Sequence, residues 1–318
     1  MQKKVLAVTI ASIIGLVGCG SDSGSDSGSS STSTNFSGTV NKGIVSNGQV
    51  EICDAFNDTG CDSNTSNYYV KTTTSADGSY DVTDAPLDTP LLVLVSKASD
   101  GAVTTMKCDI ASCTDNNGST VAFGDSFEVP DGWTLQAIIP AANTGTTTVN
   151  VTSLTDIAAD EAIAAAGDSG VTEAIANNAN QAVQEAFGIT HDITEIGAVD
   201  LTDPVAVAAA LVEDTEEIIA ATYSASLLDI TDEEKAALLT FDTTTGGYTI
   251  DTTAETGVQG VLDDAATLIN TVEEKINAEL AEEDAINLEK AKQDIAAIKP
   301  PADVDPEPSE NSDEIVAG

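Results

Sequence analysis

The chain has 318 residues, of which 53 are Asp or Glu and 11 are basic, every one of those a lysine, for a formal net charge of −42. A balance this acidic excludes nucleic-acid binding, which needs clustered cations to displace counterions from phosphates, and adsorption to anionic headgroups. The acids are spread along the whole chain, a pattern that fits adaptation to salty surroundings better than one cation-binding tract.

The first 18 residues read as a secretory leader. Met1-Gln2-Lys3-Lys4 is a short positive start, and Val5 to Val17 is a nearly unbroken apolar run. That run falls short of the about 20 residues that span a bilayer, so cleavage rather than retention is expected. Leu16-Val17-Gly18-Cys19 closes it. This quartet resembles the bacterial lipobox, which implies that Cys19 becomes the first residue of the mature chain and carries acyl groups such as palmitate. Durable anchoring takes two or more acyl chains, each buried CH₂ contributing about 0.8 kcal/mol. Gly20-Ser21 after the cysteine lacks the aspartate that holds many such lipoproteins at the inner membrane, so the resemblance implies the outer membrane, on either its periplasmic or its surface side.

Residues 19–35 form a tether of Ser, Gly, Asp and Thr that has almost nothing to bury. A coil of this kind spans roughly 22 Å on average and about 55 Å when stretched.

Residues 36–150 carry short alternating runs: "FSGTV", "GQVEIC", "YYVKTTT", "GSYDVT", "PLLVLVSKA", "WTLQAII" and "TTTVNVT". Turn dipeptides lie between them at Asn47-Gly48, Asp77-Gly78, Asp100-Gly101, Asn117-Gly118 and Asp131-Gly132. Seven strands at this spacing predict an antiparallel β-sandwich. The stretch resembles the prealbumin-like sandwich of carboxypeptidase regulatory-like domains through Gly38, Val40, Gly48, Val50, Thr74, Asp77, Gly78 and Tyr80. The resemblance implies a tight turn at Asp77-Gly78, a buried Tyr80 ring and a non-catalytic role in folding, assembly or binding.

Cys53, Cys61, Cys108 and Cys113 are an even set in an exported chain and read as disulfides. Of the three pairings, the local one, Cys53–Cys61 with Cys108–Cys113, closes two short loops, each contributing roughly 2–3 kcal/mol. Zinc needs other spacings and more than the single histidine, His191.

Residues 151–298 change to Ala, Leu/Ile and Glu/Asp at helical spacing, which predicts an Ala-rich helical bundle. Ser153 with Asp156 looks like a capping pair, and Gly167 ends that helix. A second helix runs from about Val171 to Phe187. Pro204 opens a third with the stripe Val207, Leu211, Ile218 and Ile219. Thr231 to Glu234 is a capping box, and "YTIDTT" is a short hairpin or loop. The longest helix carries Val258, Leu262, Ala265, Ile269, Val272, Ile276 and Leu280. Pro300-Pro301 end the helices, and residues 299–318 read as a disordered acidic tail.

Candidate chemistry is sparse. His191 sits in a polar connection and reads as solvated. Trp133 follows a Pro-Asp-Gly turn and reads as core packing. Asp54, Asn57, Asp58, Asp62 and Asn64 crowd oxygens into a loop with alternating spacing similar to a calcium site, without its downstream glutamate; the other reading is a solvated acidic loop. The sequence as a whole is that of an α+β envelope lipoprotein without enzymatic activity, a binding or assembly module whose partners are the bilayer and an envelope protein or polysaccharide. The alternatives are a carboxylate-dependent hydrolase of envelope polymers and a structural spacer.

Overall fold

The computed structural model describes residues 33–55, 61, 68–86, 89–140, 146–213, 215–228, 230–254, 256–281 and 284–306. Cys19, the tether up to residue 32, Asn57, Asp58, Asp62, Asn64 and residues 307–318 lie outside them.

The first half is β. In chain order come β1 (Ser33–Asn41), β2 (Val45–Ser46), β3 (Gln49–Asp54), β4 (Tyr69–Thr73), β5 (Ser79–Pro86), β6 (Leu91–Ser96) and β7 (Thr105–Lys107). Then follow β8 (Ser112–Thr114), β9 (Thr120–Ala122), β10 (Ser126–Glu128), β11 (Thr134–Ile139), β12 (Thr146–Thr148) and β13 (Val151–Thr152). One antiparallel sheet has the order β11-β6-β3-β4. A second is built on β1, with β5 antiparallel to it and β12 and β13 parallel to it. The expectation of a wholly antiparallel arrangement is therefore corrected at β1. The strands that enter and leave the β region lie side by side and run the same way, and the long stretch between them serves as the crossover that parallel pairing needs. Smaller sheets are β10-β7-β2 and the hairpin β8-β9.

The run "LLVLV" is apolar throughout because β6 is buried on both faces. Leu91, Val93 and Val95 join Phe36, Val40, Tyr80, Val82, Val50 and Ile52 in one core. Leu92, with Cys53 and Ile138 from the neighbouring strands, faces the other way into a core shared with the helices. Alternation alone produces both faces, since successive strand side chains point oppositely. The cysteines pair locally, Cys53 with Cys61 and Cys108 with Cys113, across Cα separations of 5.5 and 5.7 Å.

The second half is mainly helical: α1 (Ser153–Ala166), α2 (Glu173–Phe187), α3 (Pro204–Glu213), α4 (Thr215–Ser226), α5 (Asp232–Leu238), α6 (Val258–Glu279) and α7 (Glu289–Ala297). Between and after them, β14 (Leu239–Phe241), β15 (Tyr248–Ile250) and β16 (Asp303–Val304) make a small sheet. The tail thus departs from the disorder expected from residue 299. Val304 pairs opposite Tyr248 and is buried, and the apolar Ile298 packs onto the helical core. Two apolar residues in a polar stretch hold it.

The capping pair of α1 is also one residue earlier than expected. Thr152 is the N-cap and Thr155 its reciprocal partner. Ser153 instead donates to the Ser224 carbonyl in α4 at 3.0 Å. Asp156 turns towards the sheet: Oδ1 accepts from the Gln136 amide at 2.9 Å and Oδ2 from Lys235 Nζ of α5 at 2.6 Å. Thr231 and Glu234 form the expected box at α5.

Asp156 and Lys235 are both almost fully buried. Removing one partner of such a pair strands a charge in the interior. Lys235→Met destabilises the protein by about 3–5 kcal/mol in urea unfolding. Adding Asp156→Asn, which removes the stranded charge and keeps an acceptor for Gln136, recovers most of that loss.

Candidate functional site: an acidic cleft beside His191

A cleft of about 470 Å³ lies against β1 and β5, lined by Thr39, Ser79, Asp81, Thr148, Glu195 and Glu217 among others. A recess of about 210 Å³ adjoins it, sharing Glu195, Gly197 and Glu217 and adding His191 and Glu216. The polar side chains of the lining are hydroxyls, carboxylates, His191 and Asn150, set beside Gly38, Gly197 and Ala198.

Its floor is fixed by residues of two kinds. Tyr80 is buried and its hydroxyl donates to the Val149 carbonyl at 2.6 Å. Gly38 permits that approach, because a Cβ there would fall 1.8 Å from the same oxygen. Thr74 donates to the Val45 carbonyl at 2.8 Å and accepts from the Gly48 amide at 2.8 Å. Asp77 accepts from the Ser79 amide and hydroxyl, which holds its carboxyl below the usual carboxylate range and closes the turn at Gly78, where φ is +81°. Gly38, Asp77, Gly78 and Tyr80 thus shape β1, β5 and the turn before β5, while Thr74 ties into the β2–β3 connection.

Asn150 is the functional residue that sequence reasoning missed. It is buried. Its amide group donates to the Ile196 carbonyl at 2.6 Å, and its side-chain oxygen accepts from the Thr39 amide at 2.9 Å and hydroxyl at 2.8 Å. Its backbone amide donates to the Thr194 carbonyl at 2.7 Å. Asn150 therefore staples the loop bearing Glu195 and Gly197 to β1. A polar residue between two buried valines, Val149 and Val151, is the signal that could have found it.

His191 is not simply solvated. Its side chain is 62% exposed, yet Nδ1 lies 2.9 Å from Glu216 Oε2. Glu216 also accepts from the amides of Thr190 and His191 and from the Thr190 hydroxyl. Burial works to raise the Glu216 pKa, but these donors together outweigh it and hold the carboxyl low. A carboxylate so held is a poor proton donor near neutral pH.

The other sequence candidates lie apart from the cleft lining. Asp54 closes the end of β3, its Oδ2 accepting from the Tyr68 amide at 3.0 Å. Trp133 packs partly buried against the core that holds Phe36, Val50 and Leu135. Among the described residues, no group of three or more His, Cys, Asp and Glu could hold a metal ion.

No family model matches the chain, and no curated protein matches it. One solved structure found in comparison is a 9R-lipoxygenase from Cyanothece PCC8801, with 17% identity and a TM-score of 0.15. The match covers 41% of this chain and 18% of the lipoxygenase. At that score it carries no argument about fold or activity.

Two buried acids outside the cleft have raised pKa values. Asp109 and Glu161 are each pushed up to about 7. Burial is the largest cause for both; the charge of Asp200 adds to it at Asp109, and that of Asp160 at Glu161. One carboxylate oxygen of Asp109 is buried without a partner. A carboxyl whose folded pKa is raised binds protons more tightly folded than unfolded. The contribution of these two carboxyls to folding stability therefore falls as pH rises from about 4 through about 7. Asp109→Asn removes its share of that fall, so the variant gains on wild type at about pH 8 and not at about pH 4. Urea midpoints of both proteins across this window check it.

Proposed function

We propose that this chain is a lipid-anchored outer-membrane protein and acts as a non-catalytic binding or assembly module. In this reading Cys19 carries the acyl anchor, residues 20–35 are the tether, the disulfide-bonded β region is a sandwich of the carboxypeptidase regulatory-like kind, and the helices form an Ala-rich bundle against it. The observation that carries the binding role is the outer face of α3. Val205 and Val212 are 76% and 85% exposed, and Ala208 and Ala209 between them are exposed as well. Positions 205, 208, 209 and 212 share one helical face, and they leave an apolar stripe on a very anionic surface. A pure spacer has no use for such a stripe.

The hydrolase reading draws on Glu195 and Glu217, which the cleft brings together. Against it stand the low Glu216 carboxyl and the Tyr80 hydroxyl already committed to Val149.

The net charge opposes electrostatic adsorption to anionic headgroups, so attachment to a bilayer in this reading is covalent. Photo-reactive residues placed at positions 205 and 212 in intact cells should yield one discrete adduct. Val205→Glu with Val212→Glu should abolish a pull-down of that partner while the melting temperature holds. In the same cells Cys19→Ala should lose labelled palmitate and leave the membrane fraction. A diffuse smear from both positions contradicts the binding role, and a Cys19→Ala protein that stays on the membrane contradicts the anchor.

A further inference from the structure

A second recess combines apolar and aromatic side chains with the polar Thr114, Asn116 and Lys42. It has a volume of about 160 Å³ and is lined by Met106 of β7, Phe127 of β10, Trp133, Leu228 and the Cys113 end of the small disulfide loop, with Lys42 at one edge. The geometry points to a binding site for a small, uncharged, single-ring aromatic ligand.

Each part of that description has its own observation. The volume limits the ligand to one ring, since a cavity of about 150 Å³ accommodates benzene. Phe127 and Trp133 offer ring surfaces, and the Met106 thioether adds a favourable sulfur–aromatic contact. The charge preference follows from Lys42. It is buried, and its positive charge already acts on the carboxylates of Asp109 and Asp156. No surplus cation remains in that set for an anionic ligand, and the chain's net charge of −42 repels one.

The recess contains its own reporters. Trp133 is the only tryptophan in the sequence, and Met106 is one of two methionines, the other being Met1. Phenol titrated into the full chain should change Trp133 emission along a saturating curve, with half-saturation at millimolar phenol. The methyl signal of labelled Met106 should shift with the same midpoint. Leu228 is half-buried at the wall. Leu228→Phe fills the space and should weaken phenol binding at least tenfold at an unchanged melting temperature. Benzoate should bind at least tenfold more weakly than phenol. Emission that falls linearly with phenol and equally in wild type and Leu228→Phe, with no Met106 shift, overturns the site. Benzoate equal to phenol overturns the assigned charge preference.

Discussion

β11 ends its sheet, and the outward backbone groups of an end strand pair readily with any other extended chain. Here the helices occupy them. Thr155 of α1 donates to the Gln136 carbonyl at 2.8 Å, Asp156 accepts from the Gln136 amide, and Asn180 of α2 donates to the Ile138 carbonyl. Lys235 from α5 then neutralises Asp156 inside the protein. Two helices are thus fixed to one strand edge, and α5 to the first of them, by side chains that would otherwise be buried polar liabilities. The consequence is a single structural unit across residue 150. β13 ends at Thr152, Thr152 caps α1, and the inner face of α1 shares its core with Leu92 and Ile138 of the sheet.

The charge distribution follows from the same constraint. Lysines are scarce, and several are spent where a carboxylate would be costly. Lys235 meets Asp156 in the interior, Lys107 meets Asp200 at 2.5 Å between the β region and the loop before α3, and Lys42 is buried among acids. At Asp109, despite Lys42, and at Glu161, burial prevails and keeps the carboxyls partly protonated near neutrality. The excess acid elsewhere faces water, where it opposes self-association and leaves the apolar stripe of α3 more conspicuous.

Local structure was legible in the sequence and long-range chemistry was not. Period-two patterns and turn dipeptides marked all seven of the strand segments named from them, and the stripe from Val258 to Ile276 marked α6, because these signals depend on a few neighbouring residues. The capping box at Thr231 was visible for the same reason. The cap at Thr152 was misplaced by one residue, since Ser153 and Asp156 have distant partners that outcompete the local one. Asn150 was invisible as a staple because its partners lie in the loop at 194–196, more than 40 residues on. The ordered start of the tail was hidden by composition, which averages Val304 into its acidic surroundings.

The most direct test of the one-unit account is equilibrium unfolding in urea followed by two probes. Trp133 emission reports the β region, and far-ultraviolet circular dichroism reports the helices. The account predicts coincident transitions, and an Asp156→Ala variant that moves both midpoints down together. Two separated transitions, with the Trp133 midpoint untouched by Asp156→Ala, would contradict it.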